Sequence, residues 1–544
     1  MLRRTILSAL IVAVLLSFPA AAREIAAGDT FSVIELIFKG PAQTSKDAPA
    51  RDIDFWVRFR HESGSPEHKI HGFWDGDGQG GTAGEVFKIR FTPTKPGKWT
   101  LVEVQSNNAR LKGQMQGDTI TARASKNRGF WVVDDASAGR RWYRRSDGSH
   151  QYIIGNTMYS FLSGYKAGDV ETGVPIAADV AANATYFKKL RFSAIGDRYP
   201  HPDEKPFFDD RGSPTTDGDW SHRPNPRWFS RRTDEAVKTA FQHDLIADLI
   251  LAGPDTPESR ASIRAARNDG DPTPYLKYIA ARYGSYPNVW LCIANEYNIR
   301  HLPYTEERIG ELGKILRKFL PYPDTPLSVH PWSAVLWKFD HTQPWYDHQT
   351  IQKKRKTIAQ AAGFIEEVWT NKEGGSPRLK PTVNDELSYQ GAGDKHTEED
   401  SIEAHLGAFL GGGYGTAGYK SGNKLGHYFW GAFDPKEHSA APSLKWLRET
   451  IDANVTFWEM APDLSIFSNL DPGFRGMAWA GNEYVLGTNA AREGVAANLP
   501  EGRWTVKQYD VIARTAATLS TNASGKFTFS TPASRAVLFV FNRN

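Results

Sequence analysis

From about Gly139 to Asp452, short apolar runs alternate with stretches of helical period, and that alternation confines the chain to a parallel α/β architecture. The candidate strands are residues 152–156, 190–194, 245–251, 289–294, 327–330, 345–350, 381–384 and 427–430. Helices fit between most of them, for example at 307–319 and 443–451. Strands in this number predict a closed (β/α)₈ barrel, a TIM barrel, with its site at the C-terminal ends of the strands. Residues 245–251 read equally well as the continuation of a helix, and 345–350 is the weakest strand signal. Between residues 196 and 226, Gly, Pro and Ser surround Asp209-Asp210 and Asp217-Gly218-Asp219. This stretch reads as a solvated loop on the substrate side. Its spacing does not fit an EF-hand.

The flanking regions have a different period. Residues 55–59, 86–91 and 99–104 read as strands, with a Pro/Gly turn at 93–97, and 130–133 closes the set. Beyond Asn454, strands are expected at 477–479, 484–487, 504–509 and 536–541, with Gly502 and Gly525 at turns. The predicted layout is therefore multidomain. A β-sandwich at 23–138, the barrel at 139–453 and a second all-β, sandwich-like domain at 454–544 follow a leader at 1–22. That leader has Arg3 and Arg4, an apolar run from Ile6 to Phe18, and small residues through Ala22. It reads as a signal peptide cut near Ala22, which implies a secreted protein, periplasmic or extracellular. No later run is long and apolar enough for stable membrane insertion.

Composition excludes several kinds of chemistry. Net charge is +4 without a dense basic stripe, so nucleic acid is not an expected partner. Cys292, the single cysteine, lies in an apolar run and reads as a small buried hydrophobe. No disulfide, no Cys-based metal site and no cofactor is expected. The histidines do not have metal-ligand spacing, no Gly-x-Ser-x-Gly elbow follows a strand, and the glycine run 411–415 is not followed by Lys-Ser/Thr. That run reads as a loop approaching the barrel mouth. The 17 tryptophans suit sugar-binding clefts and packed sandwiches alike.

Two strands end in acid. Trp290-Leu291-Cys292-Ile293-Ala294 runs into Asn295-Glu296, and Pro381-Thr382-Val383 runs into Asn384-Asp385-Glu386. By count these are strands 4 and 7, which face each other across a closed ring of eight. Two carboxyl groups flanking a ligand suit glycosidic cleavage, which needs one protonated acid for the leaving oxygen and one anion beside the anomeric carbon. Glu296 and Glu386 are the catalytic candidates. Asp385 neighbours Glu386, and along a strand the two point to opposite faces. His330 ends strand 5, where it can bond a sugar hydroxyl or orient a carboxylate, and His348 lies near the end of strand 6. Tyr389 is a candidate donor to a carboxylate or a sugar.

The middle region resembles clan A glycoside hydrolases, the retaining (β/α)₈ superfamily, through the strand-4 Asn295-Glu296 and the strand-7 Glu386. The resemblance implies Glu296 as acid/base, Glu386 as nucleophile, Asn295 on the sugar 2-hydroxyl and Trp430 as a platform under the sugar. The three-part layout is similar to bacterial hydrolases with a cellulase-like or apiosidase-like barrel and a C-terminal domain of the type labelled collagen-binding. Relatives carry an arginine near strand 2. Here both Arg191 and Arg198 are available for that role. Where relatives near apiosidases show an aromatic platform after strand 1, this chain has Met158-Tyr159, so Tyr159 is a further substrate-binding candidate. The expected function is a retaining hydrolase of β-type bonds in a polysaccharide or oligosaccharide. The alternatives are a non-catalytic carbohydrate-binding or adhesion protein, and an enzyme of the same fold that transfers sugars to an acceptor.

Overall fold

The computed structural model describes residues 22–166, 170–196, 203–252, 270–299, 304–332, 339, 342–370, 380–421 and 426–544. The leader expected at 1–22 lies outside them except for Ala22. Among the described residues no helix is long and apolar enough to cross a membrane.

Eight parallel strands form one sheet in chain order and wrap into a nearly closed barrel. They are β1 (Ile154–Thr157), β2 (Lys189–Ser193), β3 (Ile246–Ile250), β4 (Val289–Cys292), β5 (Leu327–Ser328), β6 (Gln349–Ile351), β7 (Thr382–Gln390) and β8 (Tyr414–Tyr419). β8 pairs with β1, leaving β5 and β6 as the two unpaired margins. Helices lie outside the ring. In Glu306–Phe319, Thr305 caps the N-terminus by accepting from Arg308 N, and Ile309, Leu312 and Leu316 point inward at helical spacing. A capping box, Thr397 with Asp400, opens Glu398–Leu410.

Two strand positions differ from the sequence reading. The eighth strand is Tyr414–Tyr419, not 427–430, and the glycine run begins it at the barrel floor. The glycines there serve packing. A Cβ on Gly413 would lie 2.8 Å from Thr382 O, and one on Gly415 would lie 2.5 Å from Leu387 Cδ2. Residues His427–Trp430 instead form one helical turn after Gly426, whose φ of 63° is a glycine conformation. The sixth strand starts at Gln349, because Trp345 packs against Gly313 and Phe339 outside the sheet.

The N-terminal region is a sandwich of a five-stranded and a three-stranded sheet. Ile34–Gln43 alternates buried and exposed residues, as a half-buried strand must, and Phe59 stacks on Phe91 at 4.1 Å in the core. Trp131–Val133 does not join this sandwich. It pairs with Tyr143–Arg145, and Trp131 belongs to the barrel core. The C-terminal region has sheets of six and three strands. Met477, Val485, Leu538 and Val540 extend from it into the barrel core.

A buried ion network ties the N-terminal sandwich to the barrel. Arg90 and Arg282 are both 0% exposed and share Asp234, while Arg282 also reaches Asp75 at 2.8 Å. The 203–226 stretch docks on the same sandwich instead of hanging in solvent. Arg223 Nη1 donates to Lys46 O at 2.6 Å, Arg227 just beyond it donates from Nε to Gly80 O at 3.1 Å, and Phe207 is buried in the barrel core, while Asp210 and Arg211 stay exposed.

Candidate active site

The site grows from the ends of β4 and β7. Past Cys292 the backbone still follows the barrel ladder, with Ile293 N donating to Ser328 O at 2.9 Å and Asn295 N to Ala252 O at 2.7 Å. At Glu296 it turns away, with φ at 45°, a region costly for a residue with a Cβ. The neighbouring strand end holds that turn. Glu296 N faces His330 Nδ1 at 3.4 Å, and Tyr297 N donates to His330 O at 3.1 Å. His330 is fully buried, and burial holds its imidazole well below the ordinary histidine range, with Arg191 adding to the effect. A neutral ring accepting at Nδ1 carries its proton on Nε2. Gln352, just past β6, donates to Glu296 Oε1 at 2.7 Å.

β7 delivers its acids through a bulge. Asn384 pairs with Gly415 and Ser388 with Ala417, so four steps on β7 (384 to 388) oppose two on β8 (415 to 417). Surplus residues in a bulge bend a strand and re-aim its side chains. Asp385 turns into the barrel, where Lys189 and Thr416 bond it and Arg191 Nε lies 3.7 Å away. Burial pushes that carboxyl up, but the Lys189 and Arg191 charges outweigh burial and hold it well below the usual range. Glu386 instead meets the hydroxyl of Tyr159, which donates to Oε1 at 2.6 Å.

One chain of hydrogen bonds crosses the barrel mouth. Tyr159 OH donates to Glu386 and accepts from Arg191 Nη1 at 2.9 Å, and Arg191 Nη2 donates to Asn295 Oδ1 at 2.6 Å. Asn295 adjoins Glu296. The chain links β7, the residues following β1, β2 and β4. With Oδ1 of Asn295 held by Arg191, its NH₂ is the end left to donate to a ligand. Of the two arginines left open by the sequence, Arg191 occupies this position, and Arg198 lies outside the described residues.

Aromatic rings wall this chain. Tyr159, Ile250, Cys292, Phe429 and Trp430 form one apolar cluster, with Tyr428 packed against it. The turn carrying Trp430 is stitched to Tyr159, whose N–H donates to Tyr428 O at 2.8 Å. Tyr389 OH lies 3.3 Å from Tyr159 OH, and its ring is 5.0 Å from that of Tyr428. Burial pushes the Cys292 thiol up to about 12, in keeping with an inert packed side chain.

Thus Glu386, Tyr159, Tyr389, Asn295 and Trp430 are joined by hydrogen bonds and ring packing, and Glu296 adjoins them through its neighbour Asn295, with His330 beneath its backbone. His348 is not among them. It precedes β6, at the opposite end of the barrel, where Nδ1 bonds Tyr143 OH at 2.8 Å and the ring packs on Trp290 at 5.0 Å. Sequence reasoning missed Gln352 and Tyr428. Gln352 lies one residue beyond β6, which the sequence pattern starts at residue 345 and ends at 350, and Tyr428 falls in the run 427–430, which reads as a strand and forms a helical turn.

A family model described as apiosidase-like, catalytic domain, matches residues 141–454, well over half the chain. One described as a domain of unknown function (DUF5060) matches residues 28–106. No curated protein matches. Among solved structures, one named as a glycoside hydrolase from Bacteroides vulgatus is 20% identical with a TM-score of 0.71, over 95% of this chain and all 100% of that one. A family 5 glycoside hydrolase from the same organism is 14% identical with a TM-score of 0.57, over 77% of this chain and 93% of that one. At these identities the likeness is one of fold. The chain belongs to the apiosidase-like catalytic-domain family and is, with it, a glycoside hydrolase built on a barrel flanked by two all-β domains.

Proposed function

We propose that this protein hydrolyses β-glycosidic bonds in a polysaccharide or oligosaccharide by double displacement, with Glu386 as nucleophile and Glu296 as acid/base. The supporting observation is the unbroken chain Glu386–Tyr159–Arg191–Asn295 that ends beside Glu296. It supports the reading because it ties the Glu386 carboxylate on β7 to the residue that precedes Glu296 at the end of β4. Glu386 attacks the anomeric carbon while Glu296 gives its proton to the departing glycosidic oxygen, and the C–O bond breaks to leave a glycosyl ester on Glu386. Glu296, now ionised, takes a proton from water as that water's oxygen attacks the anomeric carbon, and Glu386 leaves as carboxylate. Asn295 offers its NH₂ to the sugar. Trp430 and its neighbours present apolar surface to the C–H face of the ring. Asp385 has no part in the displacement, because Lys189 and Thr416 already hold it. The leader-like segment supports action outside the cytoplasm, and sequencing the N-terminus of the exported protein is expected to find cleavage near Ala22.

The test is a panel of aryl β-glycosides and polysaccharides. On the active substrate, Glu386→Ala is expected to lower kcat on the order of 10⁴-fold or more. Azide then restores turnover and yields a glycosyl azide of inverted anomeric configuration. If Glu386→Ala and Glu296→Ala each retain a tenth of wild-type turnover, the assignment is wrong.

A further inference from the structure

At the end of the barrel remote from the carboxylates, the C-terminal sheet meets the last barrel helix, Ala441–Asn454, in a cleft of about 760 Å³. Its position is fixed by Asp452, which accepts from Tyr152 N at 2.6 Å just before β1 begins. The cleft is therefore not an extension of the catalytic groove.

Its floor is a row of neighbours across the sheet. Trp479 pairs with Glu483, and Glu483 pairs with Asn542 on the next strand, so the three side chains lie abreast on one face. Lys507 lies two residues from Thr505, the partner of Asn542, and shares that face. Glu483 is 5% exposed, and its two oxygens face Thr456 N at 3.0 and 3.2 Å, which fixes the carboxylate. Trp458 lines the opposite wall. His150, which does not line the cleft, backs its ring flat at 4.3 Å and 7°.

Trp479 is the anomaly. Among the described residues every other tryptophan is buried or half-buried, and Trp479 is the one exposed large aromatic, at 37%. It closes a strand at a tight turn, where the strand pairing does not require an indole. An open indole, a second indole held rigid, and an amide, an ammonium and a fixed carboxylate between them meet the needs of a sugar ring. The indoles cover apolar C–H faces, and the polar row pairs with hydroxyls. We infer that this cleft is a second, non-catalytic saccharide-binding site, which holds a distant stretch of the polymer whose bonds are cut at the other end of the barrel. It does not depend on which carboxylates are catalytic.

The experiment uses the full chain carrying Glu386→Ala, run in native gels cast with galactomannan, xyloglucan or arabinan. Retardation is expected in at least one. Adding Trp479→Ala weakens that retardation roughly tenfold in apparent Kd, and Trp458→Ala does so too. In the otherwise wild-type chain Trp479→Ala leaves the melting temperature and turnover of a soluble aryl glycoside unchanged. The inference is overturned if none of the three polymers retards the parent, or if Trp479→Ala is retarded equally. It is also overturned if the parent sediments as a dimer that Trp479→Ala dissociates, which would make the cleft a contact between copies of this chain.

Discussion

Arg191 Nη1 donates to the Tyr159 hydroxyl at 2.9 Å, so the phenolic proton is committed to Glu386 Oε1 at 2.6 Å. Tyr389 OH touches only the edge of this arrangement, 3.3 Å from Tyr159 OH. Tyr159→Phe therefore frees Glu386 and leaves a buried guanidinium short of an acceptor, whereas Tyr389→Phe leaves both bonds in place. A hydrogen bond to a charged group is worth about 1.5–3 kcal/mol, so Tyr159→Phe is expected to lower kcat/KM by roughly 10- to 100-fold. Tyr389→Phe has a several-fold smaller effect. Steady-state kinetics of the two variants checks this, and equal losses would contradict the assigned geometry. The two catalytic candidates were legible because an acid that ends an apolar run is visible in sequence. His348 was misplaced because the direction a residue faces depends on where its strand begins. Moving the start of β6 from Trp345 to Gln349 transfers His348 from the mouth to the floor.

Elements were legible where burial and period agree. β4 reads as Val-Trp-Leu-Cys, and the helix Glu306–Phe319 shows both its cap and its apolar stripe. β8 was hidden because its small residues are selected by close approach to β7 and to His405, and Gly and Ala are poor strand formers in isolation. The bulge in β7 was equally invisible, since pairing with β8 defines it. Long-range charge also left no sequence signal. The helix Asp234–Gln242 begins with an acid that two arginines share, Arg90 from the sandwich and Arg282 from the helix Thr273–Tyr283. Burial raises the Asp234 carboxyl, but the two guanidinium groups overcome this and hold it far below the usual range. Asp234→Ala leaves both cations buried with one carboxylate each, Glu35 for Arg90 and Asp75 for Arg282, and each of those acids is already shared with Lys88. Removing one side of a buried ion network costs about 3–5 kcal/mol. Urea unfolding of Asp234→Ala is expected to show a loss of that size, and a loss under about 1 kcal/mol would mean that water already relieves the pair.

At the scale of the whole molecule, the barrel and the C-terminal sheet share one core, and the sandwich joins through ions, so acid acts on all three together. Histidines are the groups that respond first. Burial holds His68, His71 and His405 near 4 and His348 and His427 near 3, and it pushes His330 and His438 well below the ordinary value. Each ring is neutral in the folded chain, while the unfolded chain protonates it near 6.5. The unfolded state thus binds more protons as pH falls below about 6.5, and by linkage stability falls with it. The loss continues down to each folded value, at about 1 kcal/mol per histidine per pH unit. Asp234 and Asp385 are likewise held below their ordinary value, by ion pairs where the histidines are held there by burial. Their carboxylates stabilise the fold above the ordinary aspartate value and lose that contribution only at lower pH. Two regimes follow: a steep loss between about pH 6.5 and 4 from histidine, and a further loss below about 4 from carboxylate. Urea midpoints measured at about pH 7.5, 6.5, 5.5 and 4.5 are expected to be level between the first two and to fall sharply across the last two. A midpoint that stays level to pH 4.5 would show that these imidazoles reach water in the folded chain, and the neutral His330 assigned to the turn at Glu296 would fall with it.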